Sequence, residues 1–81
     1  MPTYHFHSAN GGRFLDRDGI ELRDLAEARL NAVQLAGEVL RDHPEHIWEA
    51  GHWRVEVTDH RNVLLFTVVT LVIDAPPVGA I

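Results

Sequence analysis

The stretch from His52 to Ile73 (HWRVEVTDHRNVLLFTVVTLVI) decides the fold. In residues 52–58 apolar side chains alternate with polar ones, which is the period of a strand with one buried face. Asp59 to Asn62 has the composition of a turn, and Val63 to Ile73 is a long run rich in β-branched residues. The stretch therefore predicts an antiparallel hairpin whose second strand is long and apolar.

The N-terminal part of the chain predicts a second hairpin. Thr3 to Ser8 alternates with the period of a half-buried strand, and Asn10-Gly11-Gly12 supplies residues that accept the positive φ of hairpin turns. Arg13 to Asp16 is predicted to return as the second strand. Asp16 to Gly19 then has turn chemistry, since Asp side chains bond readily to nearby backbone amides.

A helix is predicted between the two hairpins. Asp24 is its N-cap and Glu27 completes a capping box, while Pro44 disfavours helical geometry before it and ends the helix near residues 41–42. One further helical turn is predicted up to Gly51. The apolar stripe with helical period consists of Leu25, Ala28, Ala32, Leu35, Ala36 and Val39.

These elements predict an α+β fold in which an antiparallel four-stranded sheet carries one helix on one face, in the order β-β-α-β-β. Residues 1–75 are predicted to form a single domain, because 81 residues suffice for one small domain only. Residues 76–81 are predicted to be an irregular tail, since they are rich in proline and glycine.

The last strand is anomalous because it is apolar on both faces, and one helix covers only one face of a sheet. Burying four large apolar side chains is worth about 6–12 kcal/mol at roughly 1.5–3 kcal/mol each, so leaving them in water is unfavourable. The sequence therefore predicts a homodimer formed by edge pairing or by face-to-face packing; the alternative is cover by the tail or by residues 44–50. The predicted interface residues are Leu64, Phe66, Val68 and Val72.

Composition excludes several classes of function. The chain has no cysteine and no lysine, so disulfides, thiolate sites and a Schiff-base lysine are impossible. A formal charge of -5 argues against nucleic-acid binding. The longest apolar run is about half the roughly twenty residues that a membrane-spanning helix needs, and no secretory signal is recognised. We therefore expect a bacterial cytoplasmic protein that binds neither nucleic acid nor membrane.

Six histidines are the most suggestive chemical feature. His5 and His7 share a strand face, as two metal ligands often do, so a histidine site for zinc or nickel is one alternative. His43 and His46 lie three apart near the end of the helix, but their segment does not have the HExxH spacing of zinc proteases. The leading expectation is that the protein uses no metal and no cofactor.

The opening Pro2-Thr3-Tyr4 resembles the tautomerase family, in which an N-terminal proline at the start of a strand acts as general base. The resemblance implies Pro2 as the base, with Arg13 or Arg54 polarising a substrate carboxylate. In that family a helix follows the first strand directly, whereas the two glycines here predict a hairpin.

The whole chain resembles a family of short uncharacterised proteins of rhizobia and related alphaproteobacteria that open with Met-Pro-x-Tyr-x-Phe-His. The matching stretches are Tyr4 to His7, Gly11-Gly12, Asp16 to Asp24, Ala26 to Ala36 and Val55 to Asp59. The chain departs from the family at Asn62, where members usually have glycine, and in the extra apolar length of residues 67–73. The resemblance supports the fold and implies no established activity. The order of hairpin and helix is also similar to that of small antitoxin-like domains, as a likeness of fold only.

The sequence alone therefore favours a non-enzymatic homodimeric interaction module, with a regulatory role and a protein partner. The alternatives are a tautomerase-like enzyme that uses Pro2 and a histidine-based metal-binding protein.

Overall fold

A computed structural model describes residues 1–9 and 13–76 of the chain. The fold is α+β, as predicted, but its order is β-β-β-α-α-β-β, because a short third strand is added and the helical turn predicted before Gly51 is a second helix. The turn predicted at residues 10–12 and most of the predicted tail, residues 77–81, lie outside the described residues. The elements are β1 (Thr3–Ala9), β2 (Arg13–Phe14), β3 (Ile20–Glu21), α1 (Leu25–Asp42), α2 (Pro44–Ala50), β4 (His52–Thr58) and β5 (Leu64–Leu71).

The sheet is antiparallel with the strand order β2-β1-β4-β5. β4 is paired along both of its edges, so that Val57 lies between Phe6 of β1 and Phe66 of β5. Its side chains alternate as predicted, and Val55 and Val57 are fully buried. β4 is therefore the centre of the sheet and the reference for the register of its neighbours.

β2 and β3 lie one after the other along the outer edge of β1. Phe14 is opposite Ser8 and Ile20 is opposite Tyr4, so five residues on this side span three residues of β1. With two residues more than β1 has over this distance, residues 15–19 form a loop that leaves the line of the sheet. The predicted returning strand is thus shorter than expected and resumes as β3.

Helix α1 begins and ends where its sequence predicts. Asp24 accepts a hydrogen bond from the Glu27 backbone N–H (2.9 Å), and the Glu27 carboxylate accepts one from the Arg23 backbone N–H (3.3 Å), one residue earlier than in a standard capping box. The N–H of His43 donates to Val39 and ends the helix, and Pro44 then opens α2.

The core lies between α1 and one face of the sheet. Ala28, Ala32 and Ala36 are buried together with the inward side chains of β1 and β4, because alanine lets a helix approach a sheet closely. The remaining apolar residues of the predicted stripe, with Leu40, pack around them. The predicted face of the helix is therefore confirmed.

The assignment of faces on β5 is a correction to the sequence prediction. Phe66, Val68 and Val72, predicted on the uncovered face, pack against the core. Leu64 is separated from them, because a β-bulge shifts the register: Val57 faces Phe66 and Thr58 faces Leu64, which leaves one extra residue on β5. Leu64 therefore lies on the face away from the helix.

Neither helix in the described part of the chain has the length and apolarity needed to cross a membrane.

Enlarging Ala32 should strain the contact between helix and sheet. We expect Ala32→Leu to lower the free energy of unfolding by about 1–3 kcal/mol, because the fully buried site has no room for three more carbons. Ala26→Leu is the matched control on the exposed side of the same helix. Urea denaturation measures both variants, and equal stabilities would contradict the packing described here.

Candidate functional site

The face of the sheet away from α1, here called the open face, carries the polar side chains of the central strands. His5 and His7 of β1 lie on it, and the register places Glu56 and Thr58 of β4 opposite them. Because β4 alternates valine with charged and polar residues, one face is a dry core and the other presents titratable groups. Any chemistry of the sheet therefore lies on the open face.

Asp16 connects the loop 15–19 to β1 with both its backbone and its side chain. One carboxylate oxygen accepts the Phe6 backbone N–H and the other accepts the Gly19 backbone N–H, each at 3.1 Å. The Asp16 backbone N–H donates to His7 Nδ1, and the Asp16 carbonyl accepts from His5 Nδ1, each at 3.0 Å. Asp16 thus supplies the acceptor for the Phe6 N–H that a continuous strand would have provided, and it also holds both imidazoles.

These contacts assign the tautomers of both histidines. His7 is buried, and its Nδ1 accepts a backbone N–H, so the ring proton lies on Nε2 and is donated to Thr58 Oγ1 at 2.9 Å. His5 donates from Nδ1 to a carbonyl, which leaves its Nε2 as an acceptor. The rings are parallel, with centroids 6.2 Å apart. A metal ion on this pair would have to displace buried hydrogen bonds of His7, so the geometry disfavours the predicted histidine site.

The network also sets the charge state of Asp16. Burial raises the pKa of the Asp16 carboxyl, but the backbone N–H groups of Phe6 and Gly19 and the nearby His5 outweigh it, so the pKa lies below the ordinary aspartate value. Asp16 is therefore a carboxylate at neutral pH, and its two oxygens already accept backbone hydrogen bonds.

A groove of about 640 Å³ crosses the open face beside this network. A smaller hollow of about 260 Å³ adjoins it and shares His7, Asp16, Arg17, Thr58 and Asn62 with it. Charged residues of both signs line the groove, but the imidazole of His7 and the carboxylate of Asp16 already make the hydrogen bonds described above. Among the described residues, none at the floor of this groove is an evident nucleophile or free base.

The turn between β4 and β5 forms the rim of the smaller hollow. Asp59 accepts the backbone N–H groups of Arg61 (2.8 Å) and Val63 (3.0 Å), and Asn62 adopts the positive φ of 64° that glycine would supply in the resembled family. The N–H of Val63 lowers the pKa of the Asp59 carboxyl, and Arg61 lowers it further. The predicted turn is therefore confirmed, and Asn62 adopts the positive φ that the turn requires.

The residues of the tautomerase hypothesis are not brought together. Arg54 is opposite Ala9, seven residues along β1 from Pro2, which corresponds to about 23 Å at 3.3 Å per residue. The carbonyl of Pro2 accepts the N–H of Leu22, and two strands, not a helix, follow β1. The side chain of Arg13 lies outside the described part of the structure. Within the described residues, Pro2 therefore has no arginine partner of the predicted kind.

The free edge of β5 follows from the hydrogen-bonding direction of each strand. The Phe6 N–H points to the outer edge of β1, so the odd-numbered residues of β1 bond to β4, the odd-numbered residues of β4 bond to β5, and the odd-numbered residues of β5 point outward. The N–H of Val72 donates to Gly51, as this alternation requires. Thr67, Val69 and Leu71 therefore present backbone groups that no other described strand pairs.

The same strand carries the largest apolar side chains of the open face. Leu64, Val69 and Leu71 are 54%, 59% and 63% exposed. They form an exposed row, and the residues opposite them on β4 are Thr58, Arg54 and His52. Sequence reasoning placed Leu64 on this side, as observed, but also placed Phe66, Val68 and Val72 there, and these pack against the core.

Two members of the open-face network escaped the sequence analysis. Thr58 accepts a hydrogen bond from His7, which is 51 residues away in the sequence, and only the strand register brings the two together. Asp16 carried a signal, since the aspartate lies three residues before Gly19 and was predicted to bond a nearby amide. Its bonds to β1 had no sequence signal.

Comparison with known proteins gives one match. A family model described as "Domain of unknown function (DUF6894)" matches residues 3–71. No curated protein and no solved structure matches this chain. The match agrees with the resemblance to an uncharacterised family, while the bacterial range, the opening motif and the cytoplasmic location stay predictions.

Replacing Asp16 should weaken the anchoring of the loop 15–19. We expect Asp16→Asn to lower the free energy of unfolding by about 1–3 kcal/mol at pH 7, because one of two backbone donors then faces an amide NH₂. Since the folded pKa is depressed, the contribution is complete above the ordinary aspartate pKa of about 4 and is lost as pH falls through the folded value.

The measurement is denaturant unfolding of wild type and variant between pH 7 and pH 3. The difference in stability should stay constant down to about pH 4 and then shrink. Asp18→Asn is the control, because Asp18 is exposed in the same loop. An Asp16→Asn variant as stable as Asp18→Asn at pH 7 would contradict the assigned role.

Proposed function

This chain belongs to the DUF6894 family, a domain of unknown function, and we propose that it acts as a non-enzymatic interaction module that forms a homodimer through the free edge of β5. The observation that carries the proposal is the chemistry of this edge. β5 is eight residues long and contains no charged residue and no proline. Natural edge strands are usually protected by such residues, by bulges or by a covering element. The bulge of β5 lies at its Leu64 end, before the outward-pointing groups of Thr67, Val69 and Leu71.

Edge pairing is favoured over packing of two open faces. Face-to-face packing would bury the partly exposed Arg54, Glu56 and His52 beneath a second sheet, and desolvating such groups is costly. Pairing at the edge leaves their exposure to water unchanged. The polar centre and the apolar margin of the open face therefore favour a partner that lies beside β5.

A second copy of the chain fits this edge through symmetry. An antiparallel strand pairs with itself about a two-fold axis, so the outward groups of Thr67, Val69 and Leu71 would meet the same groups of the other copy. Side chains on opposed positions lie about 4.5–5.5 Å apart, so with Val69 at the axis each Val69 faces the other and each Leu71 faces Thr67. Because β5 carries no charge, this pairing opposes no like charges.

A stable pairing requires side chains on both faces of β5 to contribute. The strand is about 27 Å long at 3.4 Å per residue, and a standard interface covers about 800 Å² on each partner, roughly one seventh of the 5820 Å² surface. The pairing would cover the exposed row on one face and the half-buried Phe66 and Val68 on the other. All four residues predicted from the sequence would then lie at or near the joint.

A charge placed at the centre of the edge should separate the copies. We expect Val69→Lys to raise the dimer Kd by about tenfold or more, since each copy loses valine burial worth up to about 1.5–3 kcal/mol and 1.4 kcal/mol is a factor of ten. Sedimentation velocity distinguishes the 9.1 kDa chain from twice that mass.

Val33→Lys is the matched control, because Val33 on α1 is 60% exposed against 59% for Val69. It should leave the dimer intact. A wild-type chain that sediments as a monomer at tens of micromolar would contradict the proposal, and so would equal effects of the two lysines. A monomer that instead binds an extended peptide would point to a different partner for the same edge.

A further inference from the structure

The junction between α1 and α2 brings two imidazoles and a carboxylate together on the surface. One nitrogen of His43, one of His46 and a carboxylate oxygen of Glu45 all lie within 4.8 Å of one another. No other group of three such residues is found in the described ranges, residues 1–9 and 13–76. From this grouping we propose that His43, Glu45 and His46 form a binding site for a divalent transition metal ion of the Zn²⁺ class.

The backbone of the cluster is fixed before any metal binds. His43 ends α1, where its N–H donates to the Val39 carbonyl at 2.9 Å, and it is also the N-cap of α2. Its carbonyl accepts the N–H of His46 at 3.1 Å, and Pro44 fixes the first φ of the short helix. The three side chains therefore project from a rigid corner of the chain.

The two histidine–carboxylate distances are close to those of a metal centre. Glu45 Oε1 lies 3.9 Å from His43 Nδ1 and 3.6 Å from His46 Nε2. In a tetrahedral zinc site, ligand bonds of about 2.0–2.2 Å put neighbouring ligand atoms roughly 3.3–3.6 Å apart. Small side-chain rotations would bring the carboxylate to this spacing from each histidine.

The side chains are free to make that change. His43, Glu45 and His46 are 58%, 57% and 48% exposed, and each histidine–carboxylate separation exceeds hydrogen-bond length. The two rings stack in parallel with centroids 5.0 Å apart, a contact that a metal would replace. These histidines differ from His7, whose two nitrogens are both used by the fold.

The ligand types and the surrounding charge select the class of ion. Two imidazoles with one carboxylate suit zinc and its first-row neighbours, whereas Ca²⁺ and Mg²⁺ prefer all-oxygen sites. The site lies at the C-terminal, negative end of the 18-residue α1, which favours a cation, although the N-terminus of the short α2 opposes it. Arg41 is held by Asp42 at 3.0 Å, so this neighbouring cation is locally neutralised.

Three ligands leave the fourth tetrahedral position for water or for a group of another molecule. The exposed position also lets an ion enter directly from solvent. The proposal concerns α1 and α2 only, so it stands or falls separately from the pairing of β5.

The test is calorimetric titration of the full chain with zinc chloride, followed through the histidine ring signals in NMR spectra. We expect one Zn²⁺ per chain and changes at His43 and His46 with His7 unaffected. His46→Gln should weaken Zn²⁺ binding by about tenfold or more, because even loss of an outer-shell partner costs roughly 10–100-fold. Glu45→Gln should also weaken it, since a neutral amide replaces the charged ligand.

His60→Gln is the matched control, because His60 is exposed in the β4–β5 turn and lies outside the cluster. It should bind Zn²⁺ like wild type, and so should Val69→Lys. The proposal is overturned if wild type takes up no Zn²⁺ below millimolar concentrations, if His46→Gln and His60→Gln behave alike, or if His5→Gln is the variant that removes binding.

Discussion

The pairing of β4 with both of its neighbours is the constraint on which the rest of the structure depends. Hydrogen bonds along its two edges fix which residues of β1 and β5 face the helix, and Val55 and Val57 are fully buried as a result. The same register brings His7 to Thr58 and sends the odd-numbered groups of β5 outward. Core, open-face network and free edge are thus consequences of one set of backbone contacts.

The loop 15–19 shows how a side chain can complete a sheet edge that the backbone leaves unfinished. β2 and β3 each pair with β1 over two residues only, and Asp16 supplies the missing acceptor for Phe6 between them. Its carbonyl and N–H also orient His5 and His7. Groups that look catalytic in the sequence therefore serve the architecture, and the exposed surfaces at β5 and at the α1–α2 junction are the better candidates for binding.

The elements that local chemistry specifies were predictable. α1 has a cap, an alanine stripe and a proline stop, and its limits agree with the prediction. β4 alternates strictly, so its buried face was predictable as well. β3 was not predicted because two residues carry no periodic signal. The inward face of β5 was not predicted because both faces of the strand are apolar. The grouping of His43, Glu45 and His46 needed the helix corner, since their spacing matches no known motif.

The sequence by itself determined the class of fold, the helix and its buried face, the central strand, and the presence of one strand too apolar for a single helix to cover. These features rest on periodicity and capping, which act over a few neighbouring residues. Only the tertiary structure decided that Leu64 faces away from Phe66, and that Val69 and Leu71 form the exposed row. The physical reason is that the sequence of a strand apolar on both faces does not indicate which face points toward the helix. The bulge and the register with β4 determine that face.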